Sequence, residues 1–305
     1  MADAVMTGRG ARRRPGPSGG SGPRWLPYAF LAPALLLYGG FLLFPLGRAV
    51  QFSFFEWDGL GASTFVGFDN YIEIARNGQL RDAFAHALVL IVFFAIIPLA
   101  IGLVLAAILT RSNVRGLGFF RTVIFLPQVI AMVVVAVTWR QIYAPDGPLN
   151  QFLRAIGLGG LTRAWLGDYT WTLPAVGLIG TWVSTGLVTV LLMAGMSRVP
   201  RELYEAARLD GAGAAREFFA ITLPSVRGEI TVALTLTIVA ALKTFDLVYV
   251  TTRGGPGTST TVPSYEVYRR AFELGEVGAA AAVGVVLTVI VFAINAVVNM
   301  IGEKR

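Results

Sequence analysis

The chain alternates between long apolar runs and shorter polar segments. Because an α-helix rises about 1.5 Å per residue, about 20 apolar residues cross the hydrocarbon core of a bilayer. Six runs are of that order: residues 25–47, 87–110, 122–139, 171–196, 230–252 and 277–301. The third run is expected to continue to Tyr143. The pattern predicts an all-α, polytopic membrane protein with six transmembrane helices.

Several features interrupt these runs. The fifth run contains Lys243 and Asp246, and residues 254–257 predict a turn at its outer end. Residues 71–76 predict a short amphipathic helix between the first two spans. Prolines inside a span predict kinks that neighbouring helices accommodate, and they occur at Pro33, Pro45, Pro98, Pro127 and Pro174.

Residues 1–24 are rich in Gly, Pro, Ser and Arg, a composition that predicts a disordered basic tail. A cleaved signal peptide is the alternative. The run 25–47 is longer than the roughly 7–15 residues of a signal core, so it is read as an uncleaved first span. The membrane domain is expected to cover residues 25–302, followed by a short C-terminus at 303–305.

Composition supports the membrane class and suggests an orientation. The chain is 55% hydrophobic and 14% charged, against roughly 25% charged residues in soluble domains. Its net charge of +7 comes from arginines that are clustered along the chain rather than from a continuous basic surface. This distribution argues against nucleic-acid binding. With the N-terminus inside, the inner segments hold 15 Lys and Arg and the outer segments 9. By the positive-inside rule, both termini and the loop 197–229 are cytoplasmic.

The loop 197–229 is a polar segment between two uncharged apolar runs. Pro200 suits the start of a helix, and Gly211 and Gly213 are expected to break it. Glu205 is spaced to pair with both Arg201 and Arg208 on one face. A small surface helix with one charged face and one small apolar face predicts a docking site for a partner.

The sequence offers no catalytic or metal-binding constellation. It has no Cys and a single histidine, His86, which is expected to be an interfacial residue. No Gly-Lys-Ser or Gly-Lys-Thr tripeptide occurs, so the chain lacks the phosphate-cradling loop of a nucleotide hydrolase. The sequence therefore predicts a protein that is not an enzyme, with no cofactor or metal of its own.

Hydroxyl-bearing stripes occur in the two spans that flank the loop. Thr237, Ala241 and Thr244 share one face of the fifth span. Thr181 and Ser184 lie beside Trp182 in the fourth. Such hydroxyls bond neighbouring helices or their own carbonyls, and packing is the favoured interpretation. The same hydroxyls, with Trp182 as an aromatic ring for stacking, would also suit a cavity that binds a sugar. Lys243 and Asp246 either neutralise each other or mark a substrate path.

The loop resembles the EAA loop of ABC importer permeases, whose pattern is E-A-A-x3-G-x9-I-x-L-P. Every fixed position is matched, by Glu205, Ala206, Ala207, Gly211, Ile221, Leu223 and Pro224. The segments 120–127 and 245–257 resemble the carbohydrate-uptake branch, which includes multiple-sugar, lactose and glycerol-3-phosphate permeases.

The resemblance implies a type I ABC importer permease fold with six transmembrane helices. It also implies a second homologous permease subunit, a cytoplasmic ATPase dimer that hydrolyses ATP, and an extracytoplasmic sugar-binding protein. The seven matched residues would form the coupling site for the ATPase. Sugar contacts in the family fall on the positions Thr181, Ser184, Leu187, Thr237, Ala241 and Thr244.

Two alternatives remain at this point. The cargo could be glycerol-3-phosphate or another small polar solute, which a basic pore residue such as Lys243 would favour. A self-sufficient channel or secondary carrier is the alternative of a different class. It predicts transport by the isolated chain without ATP, and transport that survives Glu205→Lys.

Overall fold

The computed structural model describes residues 25–111 and 116–303. Within them the α-helices are α1 Leu26–Tyr38, α2 Phe44–Phe52, α3 Asp69–Arg76, α4 Gly78–Ile91, α5 Ile97–Arg111, α6 Leu117–Val129, α7 Met132–Ile142, α8 Pro148–Ala155, α9 Thr172–Met196, α10 Arg201–Leu209, α11 Ala214–Glu217, α12 Leu223–Ser225, α13 Arg227–Leu242, α14 Asp246–Thr251, α15 Pro263–Tyr268 and α16 Val277–Glu303. Two short strands, β1 Phe55–Glu56 and β2 Thr64–Phe65, pair antiparallel with Phe55 opposite Phe65. A 3₁₀ turn covers Gly159–Leu161.

The described chain forms two compact units, one ending at Arg48 and the other beginning at Ala49. The described part of the first unit contains α1 and the start of α2. Its large apolar side chains are exposed, as expected of a helix that meets lipid or another subunit. The second unit contains the remaining helices and the buried core.

Helix α9 is the centre of the second unit. It carries no charge, and it is apolar on all sides, so it can be covered by neighbours all round. Helices α5 and α6 pack along it. Gly186 of α9 makes the contact with α6 possible, because the carbonyl oxygen of Ile124 occupies the space that a Cβ would need. The largest core cluster includes Ile179 and Val183 of α9.

The spans largely follow the apolar runs. In the described part of the chain, four helices are long and apolar enough to cross a membrane: Tyr28–Phe52, Gly78–Thr110, Thr172–Met196 and Val277–Gly302. The total rises to six if each of two sharply bent helix pairs is one span. The second span begins well before residue 87, because the Asn77 side chain accepts hydrogen bonds from the N–H groups of Gln79 and Leu80 and caps α4.

The third span is not the continuous helix predicted over residues 122–139. It is broken into α6 and α7, and the chain bends by 95° between these two helices. Ile130 and Ala131 adopt extended backbone conformations at the break. Two non-helical residues remove the intrahelical hydrogen bonds that would hold the halves in line. Pro127 lies inside α6, so the break falls after the proline at which a kink was expected.

The fifth run, predicted over residues 230–252, is also divided. Helix α13 ends at Leu242, and α14 begins at Asp246. Helix α13 is in addition bent by 69° from the preceding segment Ala214–Ser225. The interruption therefore coincides with the two charged residues that marked it in the sequence.

Three prolines are preceded by wider π-helical turns. The π segments Gly39–Leu43, Val92–Ile96 and Phe218–Thr222 each end two residues before a proline, at Pro45, Pro98 and Pro224. Proline has no N–H and its ring clashes with the carbonyl four residues earlier. A π turn relieves both problems inside a continuing helix. At Pro45 and Pro98 the predicted distortion is therefore a local widening of the helix.

The connecting segments match two local predictions. The amphipathic helix expected at residues 71–76 is α3, which buries Ile74. The turn expected at residues 254–257 is present, with Gly254 and Gly257 at positive φ angles of 81° and 59°. His86, expected at the interface, forms a hydrogen bond through Nδ1 to the carbonyl oxygen of Thr261 at 2.9 Å.

Gly180→Ala is expected to lower the free energy of unfolding by about 1–3 kcal/mol, because the added Cβ would meet the ring of Phe94 in a close-packed core. Gly118→Ala is the matched control. It lies in α6 with open space around the new Cβ, so it should be neutral or slightly stabilising. Thermal unfolding in detergent measures both. Equal melting temperatures would contradict the packing described for α9.

Candidate functional site

The loop helix α10 lies at the surface, and none of its residues is buried. Glu202 lies in its first turn and Arg208 in its last, where each charge complements the helix dipole. The residues Leu203, Ala206 and Leu209 follow one another at i, i+3 and i+6 and are all exposed. Leu209 is 90% exposed, which is unusual for a leucine. We call these three residues the apolar stripe.

The opposite face of α10 is polar and faces a cavity of about 470 Å³. The cavity lies between α10 and the ends of α5 and α9. Its lining from α10 consists of Arg201, Tyr204, Glu205 and Arg208. These residues are spaced i, i+3, i+4 and i+7, so they form one helical face. The charged face and the apolar stripe therefore point in different directions.

A tight turn at Gly211 ends α10. Gly211 has φ +78°, a left-handed conformation that non-glycine residues rarely adopt. Its N–H donates to the Arg208 carbonyl at 3.0 Å, and the Ala212 N–H donates to the Ala207 carbonyl at 2.8 Å. These bonds satisfy the last carbonyls of the helix and reverse the chain direction. The bend predicted at Gly211 is confirmed.

Two side-chain links connect α10 to the segment after the turn. Arg208 Nε donates to Glu217 Oε1 at 2.9 Å. The hydroxyls of Tyr204 and Thr222 are 3.0 Å apart. The hydrogen bond and negative charge of Glu217 raise the pKa of the Arg208 guanidinium. The pairing predicted between Glu205 and Arg208 is therefore wrong as a direct contact. Across the turn, the chain direction brings Glu217 to Arg208 instead.

The structure places the matched loop residues in two environments. Glu205, Ala206, Gly211 and Pro224 are exposed, whereas Ala207, Ile221 and Leu223 are half-buried. The half-buried residues are partly covered by the rest of the chain. The exposed ones are available to a partner.

The predicted substrate-path residues differ in burial. Thr181, Ser184, Thr237, Ala241 and Thr244 are all buried, Leu187 is half-buried, and Trp182 is exposed. Thr181 Oγ1 donates to the Phe93 carbonyl at 2.6 Å, which joins α9 to the second span. Thr237 Oγ1 donates to its own helix at the Ala233 carbonyl, at 2.7 Å. These two hydroxyls make the packing contacts that the sequence favoured.

Lys243 and Asp246 lie on either side of the break between α13 and α14, and Lys243 is exposed. No salt bridge joins them among the described residues, so the structural pair considered from the sequence is not formed. Lys243 follows the last residue of α13 and Asp246 is the first residue of α14. Each charge thus lies at the helix end that it stabilises electrostatically.

Sequence reasoning missed three residues near these sites. The Trp139 ring packs edge-on against Trp182 with centroids 5.6 Å apart. Arg140 is exposed next to it and donates to the Val250 carbonyl at 3.4 Å. Glu217 lies in the loop 197–229 but is not one of the seven matched residues. The position of Trp139 and Arg140 at the end of the third apolar run could have indicated the first two, whereas nothing local marked Glu217.

Comparisons with known proteins show the family to which the chain belongs. The family model for the binding-protein-dependent transport system inner membrane component matches residues 99–304. The chain is 40% identical to a probable ABC transporter permease protein, YurN, of Bacillus subtilis, covering 88% of this chain and 93% of that one. It is 34% identical to the diacetylchitobiose uptake system permease protein NgcF of Streptomyces coelicolor, covering 99% and 92%.

A solved structure shows the same fold. One chain of a bacterial ABC transporter involved in the import of the acidic polysaccharide alginate superposes with a TM-score of 0.78 at 25% identity. The match covers 92% of this chain and 95% of that chain. The fold and the exposed loop define a membrane-spanning transporter subunit rather than an enzyme. The chain belongs to the binding-protein-dependent transport system inner membrane component family, and the predicted importer permease fold is confirmed.

Proposed function

We propose that this permease carries a sugar, either a mono- or an oligosaccharide, into the cell. The observation that carries the proposal is the exposed helix α10, which carries the first three residues of the motif, Glu205, Ala206 and Ala207, on a transporter fold. The printed functions of two similar proteins, diacetylchitobiose uptake and alginate import, support a saccharide as cargo. The exposed Trp182 ring, packed against Trp139, offers an aromatic surface of the kind found in ligand sites.

The proposed assembly has four kinds of component. This chain would pair with a second homologous permease, and a cytoplasmic ATPase dimer would dock on α10 and hydrolyse the ATP. An extracytoplasmic sugar-binding protein would deliver the cargo. Both termini would lie in the cytoplasm, as the distribution of Lys and Arg favours. The chain itself would bind no nucleotide, since it has no phosphate-binding loop.

The proposed substrate path follows α9, α13 and the break before α14. Its exposed positions are Trp182, Lys243 and Asp246, the last being the first residue of α14, and Leu187 is half-buried in α9. The buried members, Thr181, Ser184, Thr237, Ala241 and Thr244, would contact cargo only in a conformation that opens this face. Conformational change during transport makes such exposure physically reasonable.

An anionic solute is the second candidate. Lys243 and Arg140 are both exposed. Lys243 lies just before α14, and Arg140 donates a hydrogen bond to the carbonyl of Val250 in α14. Two cations in this region would favour a solute with a phosphate or carboxylate group. The alginate importer, which handles an acidic polysaccharide, supports this variant. Glycerol-3-phosphate is the small member of this class to test.

Uptake of labelled solutes by cells that express the full transporter tests the proposal. Saccharide uptake should require ATP, and Glu205→Lys should reduce it about tenfold or more, because a third cation beside Arg201 and Arg208 on the cavity face would displace α10 by like-charge repulsion. Glu273→Lys, a charge reversal at an exposed position outside the loop, should leave it unchanged. Preferred uptake of glycerol-3-phosphate would replace the sugar proposal. Uptake that survives both ATP depletion and Glu205→Lys would indicate a channel or carrier.

A further inference from the structure

Glu217 is a carboxylate with an unusual environment. It lies in the coupling loop at the end of α11, yet its side chain is only 3% exposed. Acidic side chains are rarely this buried unless a cation pairs with them. Glu217 is not part of the docking motif, so the motif does not explain its burial.

One partner of Glu217 belongs to the docking helix itself. Arg208 Nε donates to Glu217 Oε1 at 2.9 Å, while the arginine side chain is 62% exposed. The link thus joins a buried anchor in the segment after the turn to an exposed surface helix. A charge-assisted hydrogen bond of this length is among the stronger polar contacts in proteins. The Tyr204 to Thr222 contact at 3.0 Å runs parallel to it, one helical turn earlier.

Core packing does not fix the rotation of α10 about its own axis, because the helix has nine residues and buries none of them. Tyr204 and Arg208 are spaced i and i+4 and share the face toward the cavity. Their links to the segment after the turn therefore hold this face inward. A rotation that breaks the Arg208 to Glu217 link would turn the apolar stripe away from its present outward direction.

We propose that Glu217 is a positioning residue that, through Arg208, sets the rotation of α10 and directs Leu203, Ala206 and Leu209 toward the ATPase. This inference rests on the proposed role of α10 as the coupling helix. It assigns the charged face to the interior of the loop and the apolar stripe to the docking surface. A permease with a loosened α10 would still insert and assemble but would transmit ATPase closure poorly.

The first test measures orientation without requiring transport. The chain has no Cys, so Glu205→Cys and Leu209→Cys each introduce a single thiol that can be labelled in the full chain. Membrane-impermeant maleimide would be applied to inside-out vesicles from cells without the ATPase. With Glu217 present, the thiol at position 209 should react several-fold faster than the thiol at position 205. Glu217→Gln should bring the two rates toward equality, while Glu202→Gln, which changes an exposed carboxylate on the same helix, should keep the difference.

The second test measures coupling in the full transporter. Glu217→Gln and Arg208→Gln should each lower cargo-stimulated ATP hydrolysis about tenfold, as expected for the loss of one charge-assisted hydrogen bond. Membrane abundance and unstimulated hydrolysis should stay at the wild-type level. The double variant should be no worse than either single variant, because the two residues act through one link. Arg208→Lys should recover part of the activity.

Two outcomes would overturn the proposal. An unchanged ratio of labelling rates in Glu217→Gln would show that the link does not orient α10. Additive losses in the double variant would show that the two residues act independently. If the wild-type transporter carried no sugar, the labelling ratio would still decide the positioning role, so the failure of the substrate proposal is distinguishable.

Discussion

Gly211→Pro is expected to abolish uptake while the protein remains in the membrane. Gly211 holds φ at +78°, and proline fixes φ near about −65°, so the turn after α10 cannot form. Proline also removes the N–H that donates to the Arg208 carbonyl. No neighbouring atom lies within 4 Å of the position that a Cβ would take. The loss therefore comes from the backbone of the loop and leaves the helical core intact.

The same substitution at Gly213 provides a matched control. Gly213 is also in open space, but its φ of −79° is compatible with proline. We expect Gly213→Pro to retain most of the uptake. Labelled-sugar uptake, normalised to the amount of permease in the membrane fraction, measures both variants. Wild-type uptake with Gly211→Pro would contradict the role of this loop in energy coupling.

Arg270→Leu is expected to destabilise the protein by about 3 kcal/mol. The Arg270 side chain is 6% exposed and donates to Glu73 at 2.8 Å and to Glu276 at 3.0 Å, with Glu266 at 3.7 Å. The arginine ties α3 to the segment that precedes α16. Its removal leaves carboxylates clustered without their shared cation. Glu266 keeps Arg269 as a partner at 3.1 Å, which limits the loss.

Arg154→Leu is the control for this prediction. Arg154 pairs with Asp146 at 3.9 Å on the surface, and such exposed pairs contribute about 0–1 kcal/mol. Arg270→Lys should fall between the two, because a single ammonium group cannot serve several carboxylates as the planar guanidinium does. Melting temperatures in detergent rank the three variants. An Arg270→Leu protein as stable as the Arg154→Leu control would show that the network is not structural.

Much of the architecture could be read from local pattern. The length and composition of the apolar runs predicted helices at all six positions, and the spacing of the loop motif identified α10 before its structure was known. Gly211 was assigned to a helix break because a glycine inside a helical pattern interrupts it. Each of these predictions depends on interactions within a few residues, which a linear pattern records directly.

The breaks within the spans were harder to predict from the sequence pattern. Pro127 indicated a distortion of the third span, but the extended backbone of Ile130 and Ala131, a few residues later, was not visible in the pattern. Lys243 and Asp246 suggested an interruption correctly, yet their spacing also suggested a pair that does not form. A helical spacing predicts contact only if the helix continues, and here it ends before Lys243 and resumes at Asp246.

By itself, the sequence determined the helical class, the approximate spans and the loop that carries the EAA pattern. Only the tertiary structure decided which side chains meet. Thr181 bonds the Phe93 carbonyl from 88 residues away, and Arg270 bonds Glu73 across 197 residues. Arg208 pairs with Glu217 rather than with the nearer Glu205 because the turn at Gly211 folds the chain back. Such contacts depend on how helices pack and turns close, and residue spacing along one helix contains no information about either.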